Sequence, residues 1–410
     1  MKKLFALLLS LAMVLALVAC GQKDPTPDTP DTPDDPQTKV EYKVAMITDY
    51  GDITDQSFNQ TTYEACKAFA EDNSIEFSYF KPAGDNTADR VAMIEKAVDE
   101  GFNVIVMPGY AFGGAIVEAA PEFPDVKFIA LDVAAGDLLE TAVAKAGEAY
   151  DYTPENWDLN KYVDMSNVYC AVYQEELCGY MAGYAAVKLG YKNLGFLGGM
   201  SVPAVVRYGY GFVQGVDAAA ADLGLTDVKL NYIYGGQFFG DADITAVMDT
   251  WYQGGTEVVF ACGGGIYTSA VDAAKKVGAK VIGVDVDQAG VIAKYAGVDG
   301  MTVTSAMKGL YPATYDTLTD VIVNGNWDKY VGKIATLGLV SGTDPEANYV
   351  QIPMGDGTQW SDSFTQDDYK AMVKDMFDGK ITVSNNTSSD VSAASFATVI
   401  TVDDQGSIKG

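Results

Sequence analysis

From Val44 onward the sequence alternates short apolar runs with stretches of helical period, and the alternation comes in two rounds. Apolar runs start near Val44, Ile75, Val104 and Lys127, and again, after a break, near Asn193, Val228, Val258 and Lys280. The intervals are about 31, 29 and 23 residues, then about 35, 30 and 22, and each leaves room for a right-handed crossover helix between parallel strands. Between the runs the period is 3.6: Val91, Ile94 and Val98 share one face while Asp89, Arg90, Glu95 and Asp99 turn away. A body of about 370 residues also exceeds what one hydrophobic core usually supports. The expected fold class is therefore α/β, two doubly wound parallel-sheet lobes with a cleft between them.

The segment before this body has a different character. Lys2 and Lys3 precede an uncharged run from Leu4 to Ala19, followed by Cys20. Sixteen residues at 1.5 Å each span about 24 Å, short of the roughly 30 Å hydrocarbon core, so residues 1–20 read as an export signal rather than a membrane span. The sequence Leu17-Val18-Ala19-Cys20 is a lipobox, and lipidation is expected at Cys20. Residues 21–40 hold Pro25, Pro27, Pro30, Pro33 and Pro36 among Asp and Thr, with almost nothing apolar. Such a segment cannot repay the cost of ordering and serves as a semi-extended, disordered tether.

Composition excludes several functions. A net charge of −29 opposes nucleic acid and anionic bilayer surfaces, whose binding needs clustered Lys and Arg. The sequence has no histidine, which removes Ser-His-Asp and Cys-His catalysis and the zinc helix motif together. Beyond Cys20, the cysteines Cys66, Cys170, Cys178 and Cys262 lack paired spacings and are expected as buried free thiols. Neither a metal nor a cofactor is expected.

The most informative stretch runs from the strand Val44–Thr48 through Asp49 and a glycine turn to Asp55-Gln56-Ser57-Phe58-Asn59. Ser57 followed by Gln60 reads as a capping box, which places Phe58 and Asn59 in a helix's first turn. Ligands of open parallel sheets bind where a strand hands over to such a helix. Taken alone, the same residues also read as plain helix caps with Phe58 as a staple. Residues 136–167 read as an irregular polar, aromatic and acidic surface excursion. The helix from Glu175 to Leu189 carries Gly179, Ala182, Gly183 and Ala186, suited to close approach against a sheet or another helix. Tyr208, Tyr210 and Phe212 read as core and rim. Gly263-Gly264-Gly265 follows a strand, but no Gly-Lys-Ser/Thr follows it, so it reads as backbone approaching a ligand rather than a phosphate loop.

Five segments occur together in order: Asp55-Gln56-Ser57-Phe58-Asn59, Glu175 to Gly183, Gly195-Phe196-Leu197-Gly198-Gly199, Gly283 to Gln288, and Thr304-Ser305-Ala306-Met307-Lys308. In this the chain, from Tyr42 to about Met354, resembles the basic membrane protein family of lipoproteins, substrate-binding subunits of ABC importers that include purine nucleoside receptors. The resemblance implies a type I periplasmic-binding fold with a three-strand hinge, crossed near Val172, Ser305 and Trp327. The first lobe would comprise residues 41–172 plus 306–327, with a helix opening at Ala306. The second lobe would comprise 173–305 plus 328–410.

The resemblance also implies ligand contacts. These are Asp49, Phe58, Asn59 and Asp132 from the first lobe, and Phe238 or Phe239, Gly264, Asp285 and Lys308 from the second side of the cleft. The family has a single phenylalanine before an aspartate-proline turn, whereas Phe238-Phe239-Gly240-Asp241 has two and no proline, which leaves the stacking ring open. Lys308 alone also reads as a solvated lysine at a helix start. The implied function is purine nucleoside binding without catalysis, as a monomer partnered by ABC permease subunits and held to the extracytoplasmic face of a membrane by its lipid anchor. Aromatic faces suit the base and carboxylates suit the hydroxyls. A riboflavin-like ligand, a tethered sensor and, last, a nucleoside hydrolase are the alternatives.

Overall fold

The structure, a computed structural model, describes residues 41–409. In chain order the strands are β1 (Lys43–Ile47), β2 (Glu76–Phe80), β3 (Val104–Pro108), β4 (Lys127–Leu131), β5 (Val168–Tyr173), β6 (Asn193–Gly198), β7 (Lys229–Tyr234), β8 (Val258–Cys262), β9 (Lys280–Asp285), β10 (Thr302–Lys308), β11 (Lys333–Leu337), β12 (Val350–Gln351) and β13 (Thr401–Ser407). They form two sheets, β11-β5-β4-β3-β1-β2 and β12-β10-β9-β8-β6-β7-β13. Every pairing is parallel except that of β10 with the short β12. The central strands read Val-Ile-Val-Met-Pro in β3 and Val-Val-Phe-Ala-Cys in β8 and are buried throughout, as strands covered by helices on both faces must be. Polar β13 closes one edge of the second sheet, with Asp403, Asp404 and Gln405 facing water.

In each sheet the strand order reverses, between β1 and β3 in the first and between β6 and β8 in the second. The carboxyl ends of strands flanking such a reversal leave a crevice, because their helices leave on opposite faces. The two crevices of this chain face one another across the interlobe cleft, and the candidate site lies there.

The expected lobe boundaries need correction. The segment around Ala306 is strand, not helix: β10 runs through Lys308, and the helix Leu310–Leu318 then packs on Phe58–Asn73 of the first lobe. The chain does not leave the first lobe near Trp327 either, because β11 pairs with β5 along its whole length. The passage to the second sheet comes between Leu337 and Val350. Strand β11 was illegible because its sequence, Lys-Ile-Ala-Thr-Leu, sits at an edge and stays half exposed. The excursion at 136–167 is also more ordered than expected. It opens with the helix Ala135–Lys145, which buries Leu138, Leu139, Ala142 and Val143, and only the rest is short turns.

Helices Glu175–Lys188 and Pro203–Asp222 pack backbone to backbone, and glycine is what permits it. A Cβ on Gly179 would lie 2.3 Å from the Tyr208 carbonyl oxygen, and one on Gly211 would lie 2.0 Å from that of Glu176. The small-residue stripe expected on the first helix therefore serves another helix. This contact sets Glu175 beside Arg207 at the cleft. Gly211→Ala should force the pair apart and destabilise the fold by about 1–3 kcal/mol, the usual cost of overpacking. Urea denaturation checks this, and an unchanged midpoint would count against the close contact.

Candidate functional site

The first lobe's wall begins where β1 ends. Asp49 accepts hydrogen bonds from the amides of Tyr50 at 2.6 Å and Gly51 at 2.7 Å. Burial pushes its carboxyl above the usual range, against the pull of those amides. The expected capping box at Ser57 is replaced by another device. Asp55 accepts from the amides of Ser57 (2.9 Å), Asn59 (2.9 Å) and Gln60 (3.1 Å), so it caps the helix Phe58–Asn73 with both oxygens. A carboxylate serving three amides outcompetes a hydroxyl. Ser57 makes no cap bond and its hydroxyl crosses the cleft, donating to Asp285 Oδ2 at 2.5 Å.

The centre is Lys308, almost fully buried at the end of β10 rather than solvated at a helix start. Its ammonium lies 2.5 Å from Asp132, 3.2 Å from Glu175 and 4.0 Å from Asp285. Rings of Phe58, Tyr173 and Tyr208 surround it at 4.9, 5.2 and 5.5 Å. Burial opposes the charge, but the three acids outweigh it and hold the ammonium above its ordinary range. Burial likewise drives Asp132 up to about 6 even beside Lys308. Glu175 is also buried, yet Arg207, 2.7 Å away, and Lys308 outweigh burial and keep it below the usual range.

Asp132 and Asp285 follow β4 and end β9 with φ of 60° and 64°, a left-handed conformation that aspartate tolerates better than most residues. One carboxylate from each lobe is thus turned toward the cleft in the same backbone state. Asp285 also accepts from the Tyr208 hydroxyl at 3.2 Å. Asn59 Oδ1 and Asp132 Oδ1 are buried acceptors with no protein donor. Buried polar atoms are normally bonded, and the protein leaves these two acceptors unmet.

Together these residues enclose a cavity of about 410 Å³, within the roughly 300–1,000 Å³ range of small-molecule sites. It is lined by all nine residues expected there: Asp49, Phe58, Asn59, Asp132, Phe238, Phe239, Gly264, Asp285 and Lys308. The two phenylalanines differ. Phe238 packs on Gly199 and Gly263, while Phe239 stands 57% exposed at the rim. Sequence reading did not single out Ser57 as crossing the cleft, nor Glu175, Arg207 and Tyr208 as part of the site. Two adjacent acids opening an otherwise apolar helix, Glu175-Glu176, were the available signal. Among the described residues, no group of acids and cysteines is placed to hold a metal, and Cys66, Cys170, Cys178 and Cys262 are buried and free. Cys20 and the residues before 41 lie outside the described part.

The family profile described as "ABC transporter substrate-binding protein PnrA-like" matches residues 42–345. The chain belongs to this Bmp family. Among Bmp-like relatives, the ABC transporter nucleoside-binding protein BmpA of Lactococcus lactis is 25% identical over 389 residues, 92% of this chain and 96% of the relative. An uncharacterized lipoprotein of Pyrococcus abyssi is 26% identical, over 74% of this chain and 69% of its own length. An ABC transporter solute-binding protein from Aeropyrum pernix shares the fold at a TM-score of 0.63 and 19% identity, covering 85% of this chain and 95% of its own. As a Bmp-family member the chain is a substrate-binding protein of an ABC transporter, which implies a small-molecule ligand and permease partners.

Asp137 also lines the cavity, accepts from the Ala134 amide at 2.7 Å, and is pushed by burial up to about 7. A carboxyl raised in the folded state contributes stability that is present below its ordinary 3.8 and lost as pH rises through about 7. Thermal melting of the ligand-free protein should therefore rise between pH 8 and pH 5.5, and Asp137→Asn, which keeps an acceptor for Ala134, should flatten that rise. Identical profiles for the two proteins would contradict the assignment.

Proposed function

We propose that the cleft binds a purine nucleoside for uptake, the reading supported best by the pairing of apolar ring faces with buried, unshared acceptors. Phe58 on the first lobe and Phe239 on the second offer faces for a flat base. Phe239 is the better candidate of the two loop rings, because Phe238 already packs on glycine backbone. Asp132 Oδ1 and Asn59 Oδ1 accept from ribose hydroxyls or ring N–H groups. Lys308 and Arg207 are engaged by Asp132, Glu175 and Asp285, so a nucleotide's phosphate would meet a surplus of carboxylates. The relative named a nucleoside-binding protein supports the same class.

The protein releases the nucleoside unchanged and works as a monomer on this reading, since the cavity is assembled within one chain. A thermal-shift panel of guanosine, inosine, adenosine, free bases, ribose, riboflavin and nucleotides tests the ligand class. Purine nucleosides should stabilise most, and stabilisation by ribose or riboflavin alone would overturn the proposal. Phe58→Ala, Phe239→Ala and Asp285→Ala should each weaken nucleoside binding by about 1–3 kcal/mol in calorimetry, through lost stacking or an unpaired polar group.

We further propose that Cys20 carries the lipid and the tether at 21–40 holds the body at the extracytoplasmic face of the cell membrane. The lipobox and the lipoprotein named among the relatives support this. Cys20→Ala should leave the protein unprocessed or released on fractionation. Normal processing and membrane retention of that variant would refute the anchor.

A further inference from the structure

We infer that β13 and Lys409 form a brace that holds the Gln237–Asp241 loop, and with it the second-lobe phenylalanines, at the mouth of the cleft. The brace lies beyond residues 42–345, the part matched by the family profile. It is anchored first at its start, where Asp217 accepts from the amides of Thr398 (2.7 Å), Val399 (2.8 Å) and Ile400 (3.2 Å). Strand β13 then runs parallel to β7, and Gln405 accepts from the Trp251 indole at 3.1 Å.

The register of β13 shifts between Asp404 and Ser407, with Gly406 at φ 72°. Such a bulge re-aims the residues after it. Here it delivers Ile408 to the Tyr234 carbonyl at 2.8 Å and lays Lys409 directly on the loop. A Cβ on Gly236 would sit 2.8 Å from both Cβ and carbonyl O of Lys409, so only a glycine accepts the tail this closely. The Lys409 ammonium pairs with Asp241 and donates to Gln237 Oε1 at 2.9 Å. Gln237 in turn donates to the Phe239 carbonyl at 2.9 Å and to Asp241 at 2.9 Å. From the inside, the Phe238 carbonyl accepts from the Gly265 amide at 2.8 Å. The loop ends are held independently, by the Asp241 amide on Ser269 Oγ at 3.0 Å and the Gly236 amide on the Gly199 carbonyl at 3.0 Å, and Lys409 adds the grip on the outer side of the span between them.

Lys409 is thus a positioning residue that acts through Gln237 and Asp241. Its consequence for ligand rests on the nucleoside reading, whereas its effect on the loop does not. Hydrogen exchange of the ligand-free protein reads the brace directly. In Lys409→Ala, amides of Gly236–Gly240 should exchange about three- to fivefold faster, the size expected for a partly buried ion pair, with β6 and β8 and the melting temperature unchanged. Lys409→Arg should behave as wild type. Asp241→Asn should match Lys409→Ala, and the double variant should be no faster, as coupled partners require. The dissociation rate of guanosine should rise by a similar factor in Lys409→Ala. Unchanged loop exchange would overturn the brace, and faster exchange with an unchanged guanosine rate would overturn its consequence for ligand. If wild type fails to bind guanosine at all, the nucleoside reading falls, and the exchange experiment alone still decides whether Lys409 holds the loop.

Discussion

The Lys308 ammonium is the interaction on which the arrangement depends. An isolated charge buried this deeply would neutralise or reject the fold, since burial costs several kcal/mol even after relaxation. It stays charged because Asp132 comes from the first sheet, Asp285 from the second, and Glu175 from the helix that starts just after the first crossing. The compensation is thus shared between lobes. Parting the lobes would separate Lys308 from Asp132 and Ser57 from Asp285, and the freed groups would turn to water. On the proposed reading, closure would re-form both contacts in a medium where they are stronger. On the proposed reading the ligand adds donors for Asp132 and Asn59, so binding and closure favour each other.

Backbone architecture brings these groups to one place. Both strand-order reversals open onto the same cleft, and the carboxyl ends of the neighbouring strands β4, β9 and β10 bring Asp132, Asp285 and Lys308 to it as well. The glycine-mediated contact between Glu175–Lys188 and Pro203–Asp222 adds Glu175, Arg207 and Tyr208 to the same wall. A single packing feature therefore fixes one counter-ion of Lys308 and one hydrogen-bond donor of Asp285.

Much of this was legible in the sequence, for reasons that differ by element. Strands β1, β3, β4, β6, β8 and β9 are buried apolar runs at crossover spacing, and composition alone reveals such strands. Strand β11 was missed because an edge strand needs no apolar run, and its loss misplaced the third crossing. Asp49, Asp132 and Asp285 stand at strand ends, where position in a parallel sheet already points to the cleft. Ser57 was misread because its spacing to Gln60 fits a cap, while the competing acceptor, Asp55, shows its role only when three amides are seen converging on it. The buried pair of Glu175 and Arg207 is 32 residues apart in sequence, and no local pattern announces it.

The central claim is that ligand and interlobe ion pairing close the cleft together. Small-angle scattering of protein stripped of ligand, before and after addition of guanosine, tests it most directly. The account predicts a smaller radius of gyration with guanosine, and little or no change in a Lys308→Met variant, whose lobes lack the shared charge. An unchanged radius in the wild-type protein, with guanosine binding confirmed by calorimetry on the same sample, would contradict it.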